Sequence, residues 1–144
     1  MLDLFAGTGA MGIEALSRGA AEATFVDSSA RAIRTIHDNL ARTRLAGRVH
    51  VRRSAAARAI RDISGPFDLV LLDPPYALDG PELDRLLDEL AGQELVAPAG
   101  RLVLTRPARS YTPVIPVHWS LERRLSYGDT EVLVLSVSEQ PDQP

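Results

Sequence analysis

The stretch MLDLFAGTGAMGIEALSRG, residues 1–19, limits the possible folds more than any other part of the chain. An apolar segment of strand length, Met1 to Phe5, runs into Gly7, Gly9 and Gly12, and these lead into a helical pattern that closes at Gly19. Strand, glycine turn and helix in that order make the first half of a βαβ unit. The alternation continues. Strand-like runs at Ala23 to Asp27, Arg48 to Arg53, Phe67 to Asp73 and Arg101 to Thr105 are separated by helical patterns, the signature of a parallel sheet.

The helices are marked by their punctuation. A cap at Ser28 or Ser29 opens one that carries Ile33, Ile36 and Leu40 on one face and stops before Gly47. A shorter helix, Ala55 to Ile63, ends at Gly65 and Pro66. A fourth has Pro81 in its first turn and Leu83, Leu86, Leu87 and Leu90 as its stripe. Beyond Thr105, prolines at 107, 113 and 116 forbid a regular helix. Two more strands follow, about Val117 to Leu125 and Glu131 to Val137, joined through the hairpin signal SYGDT. The expected fold is α/β and Rossmann-like: a mostly parallel, seven-stranded sheet ending in an antiparallel hairpin, with helices on both faces. One domain is expected over residues 1–138, with a disordered tail over 139–144.

Composition narrows the chemistry. A chain of 144 residues, 45% apolar and without cysteine, supports one core and excludes disulfides and thiolate metal sites. No apolar run approaches the roughly 20 residues of a membrane span, and the first residues are not a cleavable signal, so a cytoplasmic protein is expected. His37, His50 and His118 lack ligand spacing, and no metal is expected. Every basic residue is arginine, and the net charge of −3 hides clusters over Arg31 to Arg61 and Arg101 to Arg124. Such patches meet phosphates or simply solvate helix faces. Arg123 and Arg124 beside Tyr127 are the outlying candidates for nucleic-acid contact; Trp119 and Met11 read as packing residues.

Gly7, Gly9 and Gly12 fit GxGxxG, which lets backbone approach a ligand and offers helix N–H groups to an anion. Asp27 ends the next strand about 20 residues further on, where an acid accepts hydrogen bonds from ribose hydroxyls. An adenosine-containing cofactor is therefore expected at the strand ends. Asp3, on the first strand, separates the candidates. Its charge suits a methionine ammonium group and would repel a pyrophosphate, which favours S-adenosylmethionine over a dinucleotide; the alternative for Asp3 is a solvent-facing or loop-bracing role.

The run LVLLDPPYALDG, residues 69–80, ends a buried strand in an acid and two prolines. Neither Pro74 nor Pro75 has an N–H for a ladder, and Pro74 holds Asp73 extended. What remains is a rigid cluster of acceptors, the Asp73 carboxylate and the Pro74 carbonyl, beside the Tyr76 ring. A nucleobase amino group presents two hydrogens and a lone pair delocalised into its ring. Two fixed acceptors hold both hydrogens and direct the lone pair at an incoming methyl, while Tyr76 stacks on the base. A capped turn with a packed tyrosine is the plainer alternative for an isolated DPPY.

Together DLFAGTGAMGIEALSRGA, FVDSS, LVLLDPPY and RLSYGDTEVLVL resemble the bacterial 16S ribosomal RNA guanine-N2 methyltransferases, over almost the whole chain. The resemblance implies a class I methyltransferase fold, S-adenosylmethionine as donor, and one guanine amino group of small-subunit rRNA as acceptor. It places Asp3, Phe5, Ala6, Gly7 and Gly9 at the methionine end, Asp27 and Ser28 at the ribose and adenine, and Asp73, Pro74, Pro75 and Tyr76 at the target base. Where many such enzymes put an acidic or amide residue against adenine, RRSAAARAI offers the Ser54 hydroxyl or the Ala55 N–H. The partner that the resemblance implies is ribosomal RNA or the small subunit, without membrane or metal, and a monomer is expected.

Family members also carry a basic extension before the first strand, whereas Met1 here already belongs to that strand. A truncated or misassigned start is expected, leaving part of one sheet face uncovered. Three rivals share some of these features. DNA adenine or protein glutamine methyltransferases use related motifs, though the glutamine enzymes usually have Asn in place of Asp73. A non-catalytic cofactor-binding module and a nicotinamide-binding Rossmann domain are the others.

Overall fold

A computed structural model describes residues 1–45 and 48–138. The tail over 139–144 and Gly47 lie outside the described residues. Among the described residues, four helices alternate with the first five strands, and two more strands follow. They are β1 (Leu2–Leu4), α1 (Ala10–Ser17), β2 (Ala23–Asp27), α2 (Ala30–Thr43), β3 (Val49–Arg53) and α3 (Ala56–Asp62). There follow β4 (Phe67–Leu72), α4 (Gly80–Gly92), β5 (Val96–Pro107), β6 (Trp119–Tyr127) and β7 (Thr130–Val137).

The strand order is β3-β2-β1-β4-β5-β7-β6. The first five strands are mutually parallel, and β7 inserts antiparallel between β5 and β6. The chain reverses direction between β3 and β4, so β1 and β4 become neighbours, with Leu4 opposite Leu72. That reversal is the topological switch point beyond whose strand ends ligands bind.

Alternation along the strands sorts the core into two layers. Leu2, Leu4, Val70, Leu72, Leu102, Leu104, Leu133 and Leu135 pack with α3 and with Leu83, Leu86, Leu87 and Leu90 of α4. On the other face Phe25 packs with Leu16 of α1 and with Ile36 and Leu40 of α2. The two helices of this second layer rest on β1, β2 and β3. Over β5 and β7 the same face holds Val103, Val132 and Val134, which are only half-buried, whereas Leu102, Leu104, Leu133 and Leu135 opposite are buried.

Capping follows the sequence. Ser29 accepts from the Ala32 N–H at 3.2 Å to open α2, and Asp79 accepts from the Glu82 N–H at 2.8 Å to open α4. Met11, expected in the core, is 43% exposed on the outer side of α1. The buried position there is Gly12, where a β-carbon would lie 2.8 Å from Phe25 Cζ and 3.1 Å from Asp3 Oδ2. Gly12→Ala is therefore expected to cost about 1–3 kcal/mol by overpacking. A chemical-denaturation midpoint equal to that of the wild type would show that α1 shifts freely.

Candidate active site

The loop after β1 bends first at a residue that is not glycine. Phe5 has φ +60°, followed by Gly7 at +59° and Gly9 at +78°. A positive φ is ordinary for glycine and costs a bulky residue about 1–3 kcal/mol, strain that accumulates at ligand sites. Gly9 N–H bonds to the Ala6 carbonyl at 2.8 Å and closes the turn. A β-carbon at Gly7 would meet nothing within 4 Å, so this side of the loop is open.

Asp27 ties the loop to β2. One carboxylate oxygen accepts from the Gly7 N–H at 2.8 Å and the other from the Ser29 N–H at 2.9 Å. Its position beside the glycine loop is the one expected from sequence, but both oxygens already brace backbone. Each keeps a lone pair for a further donor. Ser28 is exposed next to it, Ser54 N–H bonds to the Asp27 carbonyl at 3.0 Å, and the Ser54 hydroxyl donates to the Ala55 carbonyl at 2.9 Å.

Asp3 is buried, 3% exposed, beneath this loop. Its Oδ2 is buried without a hydrogen-bond partner. Burial above all, with smaller repulsion from Asp73 and Asp27, pushes its carboxyl up to about 7. An orphaned acid oxygen under an open glycine loop is a site short of a cation or donor.

Asp73 leaves the end of β4, and its exposed side chain makes no hydrogen bond among the described residues. Partial burial raises its pKa. The Pro75 carbonyl accepts from the Leu78 N–H at 3.0 Å, while the Pro74 carbonyl takes no turn hydrogen bond. Tyr76 is 80% exposed. Because Leu72 faces α4 and side chains alternate, Asp73 projects to the same face as Asp3. Phe5 and Ala55 meet Leu78 in a cleft of about 300 Å³, walled by Leu86 and Glu89 of α4. Larger clefts, such as the one of about 520 Å³ lined by Val96, Trp119 and Val137, lie at the opposite end of β5.

One residue escaped the sequence reading. Arg106 of β5 is 6% exposed and donates to the Leu78 carbonyl at 3.3 Å, with Nε and Nη1 unpartnered. It lies under the loop that follows Asp73, on the α4 side. Tyr111 adds a second clamp: its ring packs over Gly80 at the start of α4, and its hydroxyl bonds to Asp84. No group of His, Cys, Asp and Glu suited to a metal occurs among the described residues. No helix among them is long and apolar enough to cross a membrane.

A doubly wound sheet in this strand order, with an inserted antiparallel strand and a glycine loop facing an acidic strand end, is the class I methyltransferase fold. The chain belongs to the family described as conserved hypothetical protein 95, whose profile matches residues 1–136. It is 34% identical over 136 residues to "Putative rRNA methyltransferase YlbH" of Bacillus subtilis, covering 92% of this chain and 73% of that protein. It is 33% identical over 127 residues to ribosomal RNA small subunit methyltransferase D of Escherichia coli, covering 88% of this chain and 63% of that one. A solved Streptococcus pyogenes structure, described as a conserved hypothetical protein, superposes with a TM-score of 0.88 at 34% identity. That match covers 96% of this chain and 84% of the other.

Proposed function

We propose that this chain transfers a methyl group from S-adenosylmethionine to the N2 amino group of a guanine in 16S ribosomal RNA. The carrying observation is that an orphaned acid and a free acceptor cluster, Asp3 and Asp73, share one face at the ends of adjacent strands. The names of the two curated relatives support rRNA as the substrate class.

The residues fit the donor. Asp3 would take its ammonium group, with Phe5, Ala6, Gly7 and Gly9 along the methionine portion. Asp27 and Ser28 would meet the ribose and adenine, and Ser54, Ala55 and the apolar cleft beside Phe5 the adenine edge. When bound, the cofactor supplies an electrophilic methyl on a sulfonium. Everything else falls to the chain. The Asp73 carboxylate and Pro74 carbonyl accept the two amine hydrogens, which withdraws the nitrogen lone pair from the ring and aims it. Tyr76 covers the base, and the two prolines keep the acceptors from moving. The proton displaced by methylation leaves along the hydrogen bond to Asp73, whose raised pKa eases its acceptance.

Transfer of tritiated methyl to 16S rRNA, 30S particles, DNA and protein fractions tests the reading. Label in rRNA, free or within the particle, is expected. Label in DNA or protein alone would move the chain to another branch of the amino methyltransferases.

A further inference from the structure

Tyr76 is not the only tyrosine standing free at this end of the sheet: Tyr127, where β6 turns into β7, is 62% exposed. Cross-strand register decides which face it uses, since directly opposed residues project to the same side. Leu133 and Leu135 face α4, so Thr130, Val132 and Val134 face away, and with them their β6 partners Tyr127, Leu125 and Arg123. Asp73 projects to that same side. Its continuation across the sheet is set by Leu72 opposite Leu104, which brings Thr105, then Val132 and Leu125, into line with it.

Charge then separates two arginines that are neighbours in sequence. Arg124 faces α4 and pairs with Glu131 at 2.8 Å. Arg123, on the Asp73 side, is exposed and has no ion pair among the described residues. The register shift between Leu121 and Arg123 is what gives the two arginines of this edge strand their faces. Positions 123, 125 and 127 thus present a free cation, an apolar step and an exposed ring in one row, continuous with the acceptor cluster. A cation for the backbone and a ring for the base is the pattern that holds single-stranded nucleic acid.

We infer that this β6 ridge holds the RNA strand beside the target nucleotide, Tyr127 stacking on a flanking base and Arg123 meeting a phosphate. The inference rests on the rRNA reading above and extends it to the path of the substrate. Glu131 keeps Arg124 out of that path, so the two arginines differ in function.

Filter binding of 16S rRNA to the full chain over a series of KCl concentrations tests it. Tyr127→Ala is expected to weaken binding roughly 10-fold or more, whereas Tyr127→Phe, which keeps the ring, stays near wild type. Arg123→Gln is expected to flatten the log–log salt dependence by about 0.7–0.9, and Arg124→Gln to leave it nearly unchanged. Equal binding by wild type and Tyr127→Ala would overturn the ridge, as would a Tyr127→Phe defect as large as that of alanine. Failure of the wild type to bind 16S rRNA would overturn it too. Binding with these signatures but without methyl transfer would leave the ridge standing and sink the proposed chemistry.

Discussion

Asp73→Ala is expected to lower kcat for methyl transfer by about 10²–10⁴, the range for losing a fixed hydrogen-bond acceptor at a reacting group. The affinity for S-adenosylmethionine is expected to stay within a few-fold of wild type. The fold should tolerate the change, because the Asp73 side chain is exposed and makes no hydrogen bond within the described residues. Asp73→Asn separates the two roles of the acid. An amide oxygen still accepts one amine hydrogen but takes no proton, so positioning predicts partial activity and proton abstraction predicts none. Single-turnover kinetics with the donor prebound measure this directly. Rates for the alanine variant equal to wild type would remove Asp73 from the reaction.

Asp3 carries the second large effect, and it acts in opposite directions on stability and binding. Its carboxyl titrates at about 7 in the folded chain against 3.8 in the unfolded one, so the folded state holds the extra proton between those values. The contribution of Asp3 to stability without ligand is therefore greatest below about pH 4, falls as pH rises toward 7, and is flat above that. The amplitude is at most on the order of 4 kcal/mol. Asp3→Asn is expected to remove that slope and to melt higher than wild type at pH 8, since a buried charge without a full partner set is gone. It is expected at the same time to lose about 10- to 100-fold in S-adenosylmethionine affinity, because a charge-assisted bond is lost. Proton release on binding separates this from general damage. Wild type should release close to one proton on binding the donor at pH 6, seen as a buffer-dependent heat, and the Asn variant none. A donor-binding heat independent of buffer in the wild type would show that Asp3 meets no cation.

Most of the scaffold was readable because its signals are local. Apolar runs of strand length, serine and aspartate caps and the glycine turn located β2 to the residue and α2 and α4 to within a turn. The strand β5 was longer than Arg101 to Thr105, because APAG looks like a turn. In the fold, Ala99 at φ +62° and a register shift between Phe67 and Leu69 let the strand start at Val96. The candidate site was legible as a set of residue types but not as a set of bonds. Nothing in DLFAGTG announces that Phe5 carries the strained φ, or that Asp27 braces Gly7. Arg106 belonged to a basic stretch and proves to be buried under the Leu78 carbonyl. Its position in the α4-side alternation with Leu102 and Leu104 was the available signal. Arg123 and Arg124 look alike in sequence, and only pairing with β7 assigns them to different faces.

Nucleoside analysis of 16S rRNA after incubation with this protein and a deuterated-methyl donor bears most directly on the site's assignment. Digestion followed by mass spectrometry should return the label as N2-methylguanosine, about one per rRNA molecule, and nothing above background with Asp73→Ala. Label on a ring nitrogen, on adenine or on a ribose hydroxyl would contradict the role given to the Asp73 and Pro74 acceptors.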